Sequence, residues 1–152
     1  MFERILVCLD GSKLSGQILP YAEEQALRFS SKVVLLQVVT LPTIGVAGTE
    51  ASPATGAMIA EQLQLKKKEA MNYLESVARS LQAKKIQVEV IILEATPVGN
   101  AIVDYASNNK IDLIAIATHG RSGLGRAVLG SVADFVLRES GLPILVIRPR
   151  EA

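Results

Sequence analysis

Five stretches of the chain are almost wholly aliphatic or β-branched: residues 4–9 (RILVCL), 32–39 (KVVLLQVV), 86–93 (IQVEVIIL), 112–117 (DLIAIA) and 143–147 (PILVI). Four of them, all but the third, are nearly continuous in apolarity instead of alternating. That is the pattern of strands covered on both faces, and it predicts parallel pairing. Helical periods fill the intervals. Ile18, Ala22, Ala26 and Phe29 fall on one face of a first helix, and Leu63, Ala70, Leu74, Val77 and Leu81 recur along a second. Val98, Ala101, Ile102, Tyr105 and Ala106 mark a third, opened by Thr96 as N-cap with Pro97 at the first helical position. A fourth carries Val132, Phe135 and Val136, ends near Gly141 and is stopped by Pro143.

Strands alternating with helices, joined by right-handed crossovers, give an α/β fold: one doubly wound open sheet of five parallel strands with helices on both faces. The expected order is 3-2-1-4-5, half of a dinucleotide-binding sheet. Strands one and four are then neighbours whose connections leave on opposite faces. A crevice opens above their carboxyl ends, so chemistry is expected just after Leu9 and just after Ala117. Residues 1–152 read as a single domain. Residues 40–58 (TLPTIGVAGTEASPATGAM) are small, Gly/Pro/Thr-rich and aperiodic. They are expected to form a long flexible loop, with a plain linker and a functional lid both open. Lys66, Lys67 and Lys68 fall on the polar side of the second helix and read as a solvated face.

Composition narrows the partners. Of 152 residues, 49% are hydrophobic and 20% charged, and the mean hydropathy is +0.33, which excludes a disordered chain. Sixteen Lys and Arg against fifteen Asp and Glu leave a net charge of +1, so no overall field favours nucleic acid or an anionic membrane. An anion site has to be local. One cysteine, Cys8, and one histidine, His119, exclude an internal disulfide and a Cys/His zinc set. The first apolar run is too short for a signal sequence or a membrane span, and the chain is read as cytoplasmic.

The two predicted site loops differ in character. Asp10-Gly11-Ser12 follows the first strand. The fourth is followed by THGRSGLGRAVLGS, residues 118–131, with four glycines and two arginines, running straight into a helix at Gly130-Ser131. Unencumbered backbone N–H groups there can converge on phosphate oxygens at the helix's positive end, Ser131 adds a hydroxyl, and Arg121 and Arg126 add fixed charge. Glycines also simply permit tight turns, and a serine also simply caps a helix. Position favours the phosphate reading, because this stretch sits where the topology makes a crevice, with Asp10 across it. The P-loop pattern is absent, since no lysine follows the glycines. The Rossmann fingerprint fails because Val128 holds the third glycine position and the stretch follows the fourth strand. GRSGL misses the nucleophile-elbow pattern by its last residue.

With ILVCLDGS at the first strand, LLQVV at the second, the run from Ala117 through Ser131 into VADFVL, and the closing PILVIRP, the chain resembles the universal stress protein family from Ile5 to Pro149. The ATP-binding branch of that family carries Gly, two residues, Gly, nine residues, then Gly-Ser or Gly-Thr. Here the frame reads Ala117, two residues, Gly120, nine residues, Gly130-Ser131, with Ala117 in the first glycine's place. A methyl at a strand end is tolerated while φ stays negative. The resemblance implies that Asp10 meets the ribose or adenine of ATP, ADP or AMP, and that the backbone of Val38 recognises the adenine edge. It implies that Gly120, Gly130, Ser131 and the Val132 amide hold the phosphates, bordered by His119, Arg121 and Gly123. Mg²⁺ or Mn²⁺ would then bridge the phosphates.

The expected function is a nucleotide-binding regulator in the stress response, with no catalytic residue assigned and negligible or slow turnover. Hydrolysis needs a group to orient water and a firm hold on the γ-phosphate, and only Asp10 and His119 are at hand. A weak ATPase or phosphotransferase is the enzymatic alternative. A nucleotide-free dimeric interaction module is the third. The fifth strand, residues 143–147, is an edge in the proposed order, and the resemblance implies a homodimer through it. Pro143 and the flanking Arg148, Pro149 and Arg150 equally suit protection of an unpaired edge.

Overall fold

The structure, a computed structural model, describes residues 1–40, 53–118 and 129–151. Strands β1 (Arg4–Leu9), β2 (Lys32–Val39), β3 (Val88–Glu94), β4 (Leu113–Ala117) and β5 (Ile144–Ile147) form one parallel sheet in the order β3-β2-β1-β4-β5, as the sequence pattern predicts. Ile5 pairs with Val33 on one side and Leu113 on the other, and the ladders run from there to Leu9–Gln37 and Cys8–Ile116. The chain winds outward from β1 to β3, returns beside β1 as β4, and ends on β5 at the opposite edge.

Because the strands are covered twice, successive residues serve different cores. Ile5, Val7, Leu9, Val33, Leu35 and Ala115 face helices α2 (Leu19–Phe29) and α3 (Pro53–Gln82), meeting Ala22, Ala26, Leu74, Ala78 and Leu81. Leu6, Cys8, Val34, Leu36, Ile114 and Ile116 face α4 (Val98–Asn108) and α5 (Ser131–Glu139), meeting Ile102, Ala106, Ala133 and Val136. Full burial of each aliphatic side chain contributes about 1.5–3 kcal/mol, so neither face of β1 or β4 tolerates a polar residue, and their sequences lose the two-residue alternation. At the far end of the sheet Asp112 Oδ2 accepts from the amides of Glu3 and Arg4, both at 2.9 Å, and locks β1 to the start of β4.

Several boundaries differ from the expected ones. The first helix is two pieces, α1 (Lys13–Gly16) and then α2, because Pro20 in the first turn of α2 lacks the N–H needed to continue a helix from residue 16. Phe29 is not core: it is half-exposed and meets Phe2 edge-to-face at 5.2 Å between ring centroids. The expected loop 40–58 is helical from Pro53 onward, with proline in the first helical position where its missing N–H costs nothing. The rest of that loop, 41–52, lies outside the described residues. Pro97, not Thr96, is the N-cap of α4. Ile86 precedes β3 because its N–H still bonds the Leu81 carbonyl at the end of α3.

Gly99 lets α4 touch α5. A Cβ there would lie 2.7 Å from Phe135 Cδ1 and 3.1 Å from Cγ. Gly99→Ala is therefore expected to cost about 1–3 kcal/mol in urea unfolding through overpacking, with partial recovery when Phe135→Leu is added; an unchanged midpoint would contradict the close approach. At the sheet edge, Glu89 is held below its ordinary range, first by the hydrogen bond from Lys32 and then by the charges of Lys32 and Arg4, against desolvation. Lys32 Nζ lies 2.8 Å and Arg4 Nη2 3.6 Å from Glu89 Oε2. A lowered folded-state value means that the unfolded chain takes the proton first, so this contribution is present at neutral pH and lost on acidification below about pH 4.3, the ordinary Glu value. Glu89→Gln should flatten the acid limb of the stability curve; an identical limb would remove Glu89 from acid sensitivity.

Candidate functional site

The carboxyl ends of β1 and β4 open onto a cavity of about 580 Å³. On the β1 side the chain leaves Leu9 through a tight turn in which Gly11 has φ +84, a conformation that L side chains rarely adopt. Asp10 Oδ1 accepts from the Ser12 amide at 2.8 Å, and Ser12 Oγ caps α1 by accepting from the Ser15 amide at 3.1 Å. The buried Ser15 hydroxyl accepts from the Asp10 amide and donates to the Ser12 carbonyl, both at 3.2 Å. This small network fixes the Asp10 carboxyl at the cavity mouth.

On the β4 side Ala117 is buried and its φ is not positive. Ala117 belongs to the apolar cluster on the α2/α3 face, and it also lines the cavity. The amide of Thr118 donates to the Ile147 carbonyl at 2.9 Å. His119, Gly120, Arg121 and Gly123 lie outside the described residues.

Gly130 caps α5 with φ −56 and ψ 149 and, being glycine, supplies no side-chain acceptor. The first intrahelical bond is from the Asp134 amide to the Gly130 carbonyl at 2.8 Å. The amides of Ser131, Val132 and Ala133 are consequently the orphan donors of this helix start, at the positive end of its dipole. All three residues and Gly130 line the cavity. Ser131 opens the helix as expected, but the cap is Gly130, and the serine hydroxyl is exposed.

Opposite the helix start lie Leu36, Val38, Val98, Ile102 and Ile116, an apolar slot. Val38 has a further property. The Lys32 amide bonds Glu3 on the β1 side, while the Val39 carbonyl accepts from Ala95 on the β3 side. Backbone direction alternates along a strand, so Val38 faces the β1 side, where the ladder ends at Leu9–Gln37. Val38 thus lies just past the last β1–β2 pair, and it lines the cavity.

Sequence reasoning placed Asp10, Val38, Ala117, Gly130, Ser131 and Val132, and all six line this cavity. It missed Ser12 and Ser15, whose spacing is that of a capped helix start, and it assigned Val98 and Ile102 to the core alone. Lys67 pairs with Glu94, so the lysine run is not purely solvated. Among the described residues no group of three His, Cys, Asp or Glu converges as a metal site, and no helix is long and apolar enough to cross a membrane.

The universal stress protein family model matches residues 1–148. The chain belongs to the universal stress protein family. It is 32% identical over 151 residues to universal stress protein MJ0531 of Methanocaldococcus jannaschii, covering 97% of this chain and 83% of that one. The solved structure of MJ0577, from the same organism, superposes with a TM-score of 0.84 at 25% identity, covering 100% of this chain and 99% of that one. An Arabidopsis thaliana universal stress protein solved with AMP bound shares the fold, with a TM-score of 0.68 at 18% identity over 97% of this chain and 92% of that one.

Cys8 lines the cavity of this universal stress protein but offers no nucleophile. It is buried, and burial pushes the thiol up to about 12. A thiol reagent at mildly alkaline pH should leave Cys8 unmodified in the folded protein and modify it fully in denaturant; rapid labelling of the native state would contradict its burial.

Proposed function

We propose that this chain is an adenine-nucleotide-binding regulatory protein of the stress response that acts as a dimer. The observation that carries the reading is the glycine-capped start of α5 facing the same cavity as Asp10 and the apolar slot of Leu36, Val38 and Ile102. A nucleotide has matching parts: a flat base for the slot, a ribose for the carboxyl, and phosphates for the amides. The Asp10 carboxyl accepts from ribose hydroxyls, and the Val38 carbonyl accepts from the exocyclic amine of adenine. The amides of Ser131 and Val132, with the Gly130 backbone and the Ser131 hydroxyl, take phosphate oxygens. His119, Gly120, Arg121 and Gly123 complete the phosphate side in this reading. The AMP-bound relative of the same fold supports it.

Mg²⁺ or Mn²⁺ suits this donor set only as a companion of the phosphates, held by their oxygens and water, because Asp10 is the sole carboxylate among the described cavity residues. That carboxyl already accepts from the Ser12 amide, which disfavours it as a base. The reading assigns no catalytic residue, and turnover of ATP is negligible or slow. The chain acts from the cytoplasm.

The dimer forms through β5. Among the described residues this strand pairs only with β4, and it presents Ile144 to Ile147 at the sheet's edge. The chain leaving it is anchored: the Gln17 amide group donates to the Arg150 carbonyl at 2.8 Å and accepts from the Arg150 N–H at 2.9 Å. An edge held in place, with no strand on its outer side among the described residues, is a template for a second copy.

Mass spectrometry of small molecules released from freshly purified protein should find an adenylate. In titrations with ATP and Mg²⁺, Gly130→Val should weaken binding by about tenfold or more, since the side chain obstructs approach to the backbone. Equal affinity in a folded variant would sink the phosphate assignment. Sedimentation should find a dimer that Val146→Lys converts to monomer, while a wild-type monomer at high concentration would remove the β5 pairing.

A further inference from the structure

Gly99 stands in the first turn of α4, beside Val98 and three residues before Ile102, and both of those line the apolar slot. Phe135 lies one turn along α5 from Ser131, at the helix start that lines the same cavity. The contact between Gly99 and Phe135 therefore joins the two halves of the site. Backbone conformation does not ask for a glycine at 99, because among the described residues only Gly11 and Gly141 are glycines with positive φ. Space does. The missing Cβ would lie 2.7 Å from Phe135 Cδ1, 3.1 Å from Cγ and 3.3 Å from Cβ, where ordinary contact begins at 3.4 Å. We infer that Gly99 is a positioning residue of the nucleotide site, which fixes through Phe135 how far the start of α5 stands from the base slot.

The inference rests on the nucleotide reading and deepens it. Turning the Phe135 ring moves Cδ1 but not Cγ or Cβ, and Cβ is bonded to the α5 main chain. A side chain at 99 thus presses on the helix rather than on a loose end. On its inner face α5 has no slack, since Ala133 and Val136 are buried in one cluster with Ile102 and Ala106, and a close-packed interior passes strain on instead of absorbing it. A nucleotide feels that strain as a distance. ATP carries its base and its phosphates at a limited separation, so moving α5 relative to α4 costs the joint hold on both parts and spares the hold on each part alone. Alanine is otherwise the better helix residue, so a loss on substituting it reports the contact and not a weaker helix.

The test compares ATP with its parts, by calorimetric titration of the full chain with ATP, adenosine and tripolyphosphate, each with Mg²⁺. Gly99→Ala should lose about tenfold in ATP affinity while adenosine and tripolyphosphate stay within about twofold of the wild type. Adding Phe135→Leu, whose methyls can turn aside, should restore most of the ATP affinity. In the ligand-free proteins the amide resonances of Ser131, Val132 and Ala133 should move in Gly99→Ala and move back in the double variant. Unchanged ATP affinity or unmoved amides in Gly99→Ala, an equal loss for all three ligands, or no recovery in the double variant would each overturn the inference and leave the nucleotide reading intact. Failure of the wild type to bind ATP would remove the nucleotide reading itself, and this inference with it.

Discussion

The pairing of β1 with β4 is the constraint on which the rest of the structure depends. Ile5 to Cys8 lie against Leu113 to Ile116 in parallel register, although more than one hundred residues separate them in the chain. This is where the winding of the sheet reverses. Helices α2 and α3 belong to one direction of winding and cover one face, while α4 and α5 belong to the other and cover the second. Neighbouring strands whose connections depart to opposite faces leave their carboxyl ends uncovered. The site is thus a consequence of topology before any side chain contributes.

What fills that opening follows from local chemistry. Glycine as the cap of α5 leaves three helix-start amides without an acceptor inside the helix or from its cap, and the contact of Gly99 with Phe135 sets how closely α5 packs on α4. Across the gap the Ser12–Ser15 network holds the β1 turn still. Asp10 is therefore fixed where it lines the cavity. The family model spans residues 1–148, and so includes both walls of the cavity.

Much of this was legible in the sequence, for identifiable reasons. Near-continuous apolarity at residues 4–9 and 32–39 marks strands buried on both faces, and both strands have the predicted bounds. Parallel pairing and right-handed crossovers gave a doubly wound sheet, and the order came from likeness to half of a dinucleotide-binding sheet. Failures occurred where local rules compete with tertiary context. Pro53 looked like part of a loop but begins a thirty-residue helix whose body is amphipathic. Phe29 has the right helical period for the core, yet it sits at the end of α2, where Phe2 rather than the sheet meets it. The contact of Gly99 with Phe135 had no motif at all, since the two come from separate helices and share no spacing that sequence alone reveals.

The central claim concerns backbone amides, and those can be observed one by one. In a nitrogen-15 amide spectrum of the full chain titrated with ATP and Mg²⁺, the largest shifts should fall on Ser131, Val132 and Ala133, with smaller ones at Asp10 and Leu9. Saturation that leaves the three helix-start amides unmoved, or shifts concentrated on the α3 face, would contradict the account.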